Sequence, residues 1–133
     1  MLYAILCYDS EAVVGAWSKE QDDQVLGKLG VVQDKLLAEG RLGPVGRLMP
    51  TTTAVTLRKG REAVVLDGPF AETKEQLLGF FIVDCATLEE ALEAASALGR
   101  ASSSAGAYEV RPLSLFHPGV PGLGARPQSA EKG

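Results

Sequence analysis

Histidine and cysteine are nearly missing from this chain: one histidine, His117, and two cysteines, Cys7 and Cys85, among 133 residues. A structural zinc site draws on several such residues, so none is read here and no metal is expected. Cys7 and Cys85 lie far apart inside apolar runs with no C-x-x-C, and read as buried free thiols, with metal or redox service the lesser alternative. A basic excess is missing too. Thirteen Lys and Arg against 17 Asp and Glu leave a net charge of −4, whereas nucleic acid needs a basic face to displace counterions. No direct nucleic-acid binding is expected.

Long hydrophobic runs are also lacking. The first apolar run, Leu2 to Tyr8, is too short to span a bilayer and has no positive charge before it, unlike a secretory signal. No membrane association and a cytoplasmic location are expected. Gly40, Gly43 and Gly46 have no strand-to-helix context and make no phosphate loop, and no Rossmann pattern occurs. No tightly held organic cofactor is expected.

What is present is an ordinary globular composition, 46% apolar and 23% charged, of one-domain length. Leu2 to Tyr8 reads as a first strand and residues 9–17, with Trp17, as an irregular loop. Ser18 and Gln21 form a capping box, after which Val25, Leu29, Val32 and Leu36 keep helical spacing to about residue 39. Gly40 is placed to close that helix in the left-handed conformation. "GRLGPVGRLMP" reads as a short edge strand. "TTTAVTL" and "EAVVL" read as a hairpin turned at Lys59-Gly60-Arg61, and Gln76 to Val83 as a strong strand. Thr87 and Glu90 make a second capping box ahead of a helix that Gly99 is expected to end. "AYEVRPLSLF" is a last strand. Residues 1–117 form the domain, and 118–133, rich in Pro and Gly, read as a disordered tail.

The order β-α-β-β-β-α-β suits an α+β fold, one antiparallel sheet with two helices on one face. Yet "LLGFFIV" is apolar at both parities: Leu78, Phe80 and Ile82 one way, Leu77, Phe81 and Val83 the other. Two helices cover one face only, and each large side chain left wet forfeits ~1.5–3 kcal/mol. A homodimer, with sheets packed face to face, is therefore expected; cover by the tail or by residues 9–17 is the alternative.

Between the fourth and fifth strands lies Asp67-Gly68-Pro69-Phe70-Ala71-Glu72-Thr73-Lys74-Glu75, longer than a hairpin needs. Asp67-Gly68-Pro69 is turn chemistry and Phe70 an apolar anchor. The charges that follow read either as a solvated edge or as carboxylates crowded on Lys74 for acid–base work. Arg111, inside an otherwise apolar strand, reads as paired with Asp67 or Glu75, or as an anion holder. Tyr3 and Tyr8 read as core aromatics whose hydroxyls could line a cleft, and Trp17 as a packing residue.

"DGPFAETKE" at 67–75, "GFF" at 79–81 and "EVRP" at 109–112 closely resemble the YCII-related proteins of the DGPF branch, over about residues 1–117. The resemblance implies a ferredoxin-like, dimeric α+β barrel in a mostly bacterial, cytoplasmic family of unsettled function. In the wider group a His–Asp pair in the barrel cleft is the suggested active site. This chain departs from that pattern, because His117 lies past the last strand beside Pro118. Asp67 then keeps the acid/base role, with Glu72, Lys74, Glu75, Arg111 and Tyr8 as candidates for binding an unknown small-molecule ligand. Some members of the family are encoded beside alternative sigma factors, which implies a regulatory alternative: a non-catalytic module tied to sigma-factor-dependent transcription. A monooxygenase reading rests on fold analogy alone.

Overall fold

The computed structural model describes residues 1–124. Nine strands and α-helices follow one another among these residues, with a short 3-10 turn at Thr51–Thr53 before β3: β1 (Leu2–Asp9), α1 (Glu11–Gly15), α2 (Lys19–Ala38), β2 (Leu42–Arg47), β3 (Val55–Arg58), β4 (Val64–Asp67), β5 (Gln76–Asp84), α3 (Leu88–Ser102) and β6 (Ala107–Pro112). The expected disorder beyond His117 falls in part on residues 125–133, which lie outside the described residues. Within 118–124 a turn is closed by Leu123 N–H donating to the Val120 carbonyl at 3.2 Å.

β1 pairs antiparallel with β5 on one side and β6 on the other, and β2 pairs antiparallel with β5, giving the order β2-β5-β1-β6. This is the ferredoxin-like α+β arrangement. Contrary to the single sheet expected, β3 and β4 pair only with each other, as a separate two-stranded ribbon. A valine-rich alternation announces a strand without saying which partner it takes.

Local chemistry sets the helix ends. The Ser18 hydroxyl accepts from Gln21 N–H at 3.1 Å and the Gln21 side chain accepts from Ser18 N–H at 2.9 Å, completing the capping box of α2. At the other end Gly40 takes φ +71°, with Gly40 N–H on the Leu37 carbonyl and Arg41 N–H on the Leu36 carbonyl. That is a Schellman closure, which favours glycine for its positive φ. In α3 the Thr87 hydroxyl caps Glu90 N–H, but the Glu90 carboxylate reaches back to Ala86 N–H instead of the cap residue.

Three expectations are corrected. Residues 9–17 are not all loop, since Ser10 caps α1 by accepting from Val13 N–H at 3.3 Å; five helical residues are too few to show a period. Gly99 does not end α3, which continues to Ser102 and closes at Ser103 with φ +63°. The extra turn is held by packing, because Ala101 is buried. The last strand stops at Pro112, short of residue 116, where a proline has no N–H to donate to the ladder.

The core lies between sheet and helices. Tyr3 and Ile5 of β1 and Phe81 and Val83 of β5 pack on Leu36 of α2 and on Ala91, Ala94, Ala95 and Leu98 of α3, with Cys85 beside them. The small alanines let α3 lie close to the large sheet side chains. On the opposite face Ala4 and Ile82 are buried, Leu6 and Phe80 are half-buried and Leu77 is exposed.

The two-parity reading of β5 needs one repair. The register advances from Cys7↔Gly79 to Tyr8↔Leu77, which leaves Leu78 as an extra residue in a bulge. Residues directly opposed share a face, so Leu77 lies on the side of Tyr8, with Phe80 and Ile82, not on that of Phe81 and Val83. A bulge shifts the alternation by one residue, which a period-two count cannot register.

Candidate functional site

The long interruption is built as a turn. Asp67 ends β4 opposite Val55, and Gly68 follows with φ +99°. Gly68 N–H donates to the Ala54 carbonyl at 2.8 Å, and the Thr56 hydroxyl donates to the Gly68 carbonyl at 2.8 Å. Phe70 is 75% exposed, with the Arg58 guanidinium 5.4 Å from its ring centroid. The far end is closed by amide and hydroxyl groups. Thr73 donates to the Glu75 carbonyl, and the Gln76 side-chain amide donates to the Thr73 carbonyl at 2.6 Å.

That same Gln76 side chain accepts from Glu11 N–H at 2.9 Å, and the Glu11 carboxylate accepts from Thr51 N–H at 2.7 Å and from the Thr51 hydroxyl at 2.6 Å. The loop is thus tied to α1 and to the turn before β3. Charge-assisted bonds of this kind are about twice as strong as neutral ones.

Asp67, Glu72, Lys74 and Glu75 are all exposed, and among the described residues none of them takes part in an ion pair. Arg111 lies opposite Ala4 in the ladder and is exposed, with its Nε 3.8 Å from Glu109 and not on the partner expected for it. An exposed pair at that distance contributes ~0–1 kcal/mol. His117 is exposed beyond β6. Tyr8 differs from the other five candidates, because it lines a cavity.

That cavity, of about 180 Å³, lies between the bulged corner of the sheet and helices α1 and α2. Cys7, Gly79, Phe81 and Tyr108 line it from the sheet, and Val14, Trp17, Val25, Leu26 and Leu29 from the helical side. Gly79 stands opposite Cys7, and a β-carbon there would come 2.5 Å from the Gly46 carbonyl oxygen. The close approach of β2 therefore requires glycine. At the rim Arg47 of β2 reaches Asp22 of α2, Nη2 to Oδ1 at 3.0 Å, with both side chains partly exposed.

The sheet side of the cavity is held neutral. Burial pushes the Cys7 thiol up to about 12, against a smaller lowering by its hydrogen bond with Tyr108. Burial, then the adjacent Cys7, also pushes the Tyr108 phenol up to about 12, while a hydrogen bond with Ser102 lowers it. A nucleophilic cysteine needs thiolate, so Cys7 at neutral pH is a wall, not a nucleophile. The Phe81 and Tyr108 rings are tilted at 50° with centroids 6.4 Å apart, within the range for a favourable aromatic pair.

The groups that define this cavity were not legible as a set. Asp22 belongs to a helix's first turn and Arg47 to an edge strand, and no spacing rule joins them. Tyr108 enters through the pairing of Cys7 with Tyr108 between β1 and β6. Among the described residues no group of three or more His, Cys, Asp or Glu could hold a metal ion, and no helix is long and apolar enough to cross a membrane.

The model of the YCII-related domain matches residues 1–117. An uncharacterized protein of Rhizobium meliloti (strain 1021) is 59% identical over 120 residues, which is 90% of this chain and 97% of that protein. A match over nearly the whole domain, joined to the ferredoxin-like strand order, leads to one conclusion: the chain belongs to the YCII-related family.

Proposed function

We propose that this chain is a small-molecule-binding protein that works as a homodimer, with its ligand in the cavity between the β1–β5 bulge and helices α1–α2. One observation carries the reading: a cavity of about 180 Å³ is walled mainly by apolar side chains and rimmed by the Arg47–Asp22 pair. Binding sites have this make-up, an apolar body with a few placed polar groups. The volume suits a compact apolar molecule or the apolar end of a longer one; an engineered cavity of ~150 Å³ accepts benzene.

The test is a thermal-shift panel of compact aromatic and aliphatic metabolites on the wild-type chain and on Val25→Phe, which fills the cavity. Bound ligand raises the melting temperature by mass action. The reading predicts shifts in the wild type that vanish in Val25→Phe. Equal shifts in both proteins would sink it.

Support for the homodimer comes from unsheltered apolar surface. Leu77 on the open sheet face and Val55, Leu57, Val64, Val65 and Leu66 on both sides of the ribbon are exposed. A lone two-stranded ribbon is marginal in water, and a second copy would shelter it. Light scattering should give twice 14.0 kDa, and Phe80→Asp should return the single mass.

A second reading gives Asp67 acid–base work on a ligand at the DGPF loop. It is favoured by the backbone bonds of Gly68, which fix the turn while leaving the Asp67 carboxylate exposed. The third reading, a regulatory module, shares the binding cavity and differs in having no turnover. Product formation from any ligand found in the panel separates the two, since a module releases its ligand unchanged.

A further inference from the structure

A second cavity, of about 460 Å³, lies between α3 and β6 and is lined in part by Ser96 and Arg100 of α3. It adjoins the first. Asp9, Ser102, Ser104 and Tyr108 line both cavities. The four are brought together by the end of β1, the end of α3 and the start of β6, so no sequence spacing shows them as a group.

The partition is made of hydroxyls. Ser102 donates to the Gly99 carbonyl at 2.9 Å, and the Ser102 and Ser104 oxygens are 3.4 Å apart. Between those two serines stands Ser103 with φ +63°, the one non-glycine residue with positive φ among the described residues. Held strain of this sort persists where the surroundings over-determine it, and here it turns the chain so that Ser102 and Ser104 flank the same space. A hydroxyl both donates and accepts, so three of them around one passage match a ligand hydroxyl in either sense.

Charge sets the ligand's class. The shared wall carries the Asp9 carboxylate and no cation. The second cavity's Arg100 is exposed and its Nη1 already bonds the Ser96 hydroxyl at 2.7 Å. An anionic group at the partition would lie beside the Asp9 carboxylate, with like charges opposed.

We propose that the ligand has two parts, an apolar body in the first cavity and an uncharged hydroxyl group that reaches Tyr108, Ser102 and Ser104 at the junction with the second. This rests on the binding reading above and specifies its chemistry. Tyr108 is the specificity-determining residue, since its ring belongs to the first cavity's wall and its hydroxyl to the junction.

Titration calorimetry of the full chain with ethylbenzene, 4-ethylphenol and 4-ethylbenzoate tests it. The phenol should bind about fivefold to tenfold more tightly than ethylbenzene, the factor for one net hydrogen bond, and the benzoate more weakly than both. Tyr108→Phe and Ser102→Ala should each remove most of the phenol's advantage, lowering its affinity severalfold more than that of ethylbenzene. Two variants guard against one that misfolds, and retained ethylbenzene binding reports a folded cavity. If ethylbenzene binds but the phenol gains nothing, or if Tyr108→Phe weakens both alike, the two-part ligand is refuted while the cavity reading stands. If none of the three binds, both fall together.

Discussion

Replacing Gly106 by alanine should damage this protein more than any other single methyl added near the site. Gly106 immediately precedes β6, whose first residue, Ala107, pairs with Tyr8. A β-carbon at Gly106 would fall inside contact distance of the Tyr8 carbonyl oxygen, and 2.8 Å from Asp9 Cγ. The oxygen belongs to β1, a strand with neighbours on both sides, so it cannot swing aside as a side-chain tip would. Ordinary contact requires the start of β6 to retreat by roughly 1 Å, since protein interiors are close-packed and leave no slack for it. One or two ladder bonds at about 1 kcal/mol each would go, together with about 1–3 kcal/mol for overpacking. A loss of about 2–5 kcal/mol at this chain length lowers the melting temperature by roughly 10–15 °C. Differential scanning calorimetry measures it. Gly99→Ala is the control: the nearest atom to its new methyl is a Tyr108 ring carbon at 3.9 Å, and a helix gains up to ~1 kcal/mol from that exchange. A Gly106→Ala melting point within about 2 °C of wild type would refute the tight crossing of β6 on β1, and with it the placement of Tyr108 at the junction.

Other outcomes follow from the same geometry. Leu98 is fully buried beneath the sheet, so Leu98→Ala should cost about 2–5 kcal/mol in chemical denaturation. Ser18→Ala removes half of the α2 capping box and should cost about 1 kcal/mol. Stability should hold below about pH 9 and decline toward pH 12, because Cys7 rises on folding from 9.0 to about 12 and Tyr108 from 10.0 to about 12. In that window the unfolded chain releases protons that the folded chain keeps, which favours unfolding as pH rises, with a limiting slope of about 1.4 kcal/mol per pH unit per group. A melting series on Cys7→Ala should show a shallower decline with the onset still near pH 9, because burial also pushes the Cys85 thiol up from 9.0. Asp67→Asn should leave stability within about 0.5 kcal/mol; a larger loss in denaturant titration would give the carboxylate a structural task that its exposure does not suggest.

Sequence alone determined the pieces whose causes are local. Ser18 with Gln21, Gly40 after α2 and Thr87 before α3 each bind backbone groups within a few positions, so their residue types announce the helix ends. The apolar runs of β1 and β5 gave the sheet's centre, since a strand buried between neighbours needs large side chains along its length. Lost from view was whatever depends on partners distant in the chain. The β3–β4 ribbon left the sheet, Leu77 changed face at a one-residue bulge, and α3 ran past Gly99 because Ala101 had a place to pack. The DGPF loop stood out as a charged cluster, yet its ends are fastened by Gly68, Thr73 and Gln76, whose hydrogen bonds serve the backbone. The cavity was decided by tertiary structure alone. It exists because a bulge, two close-lying strands and two helices leave a gap beside Gly79, and Cys7, Asp22, Arg47 and Tyr108 meet only once the chain has closed around it.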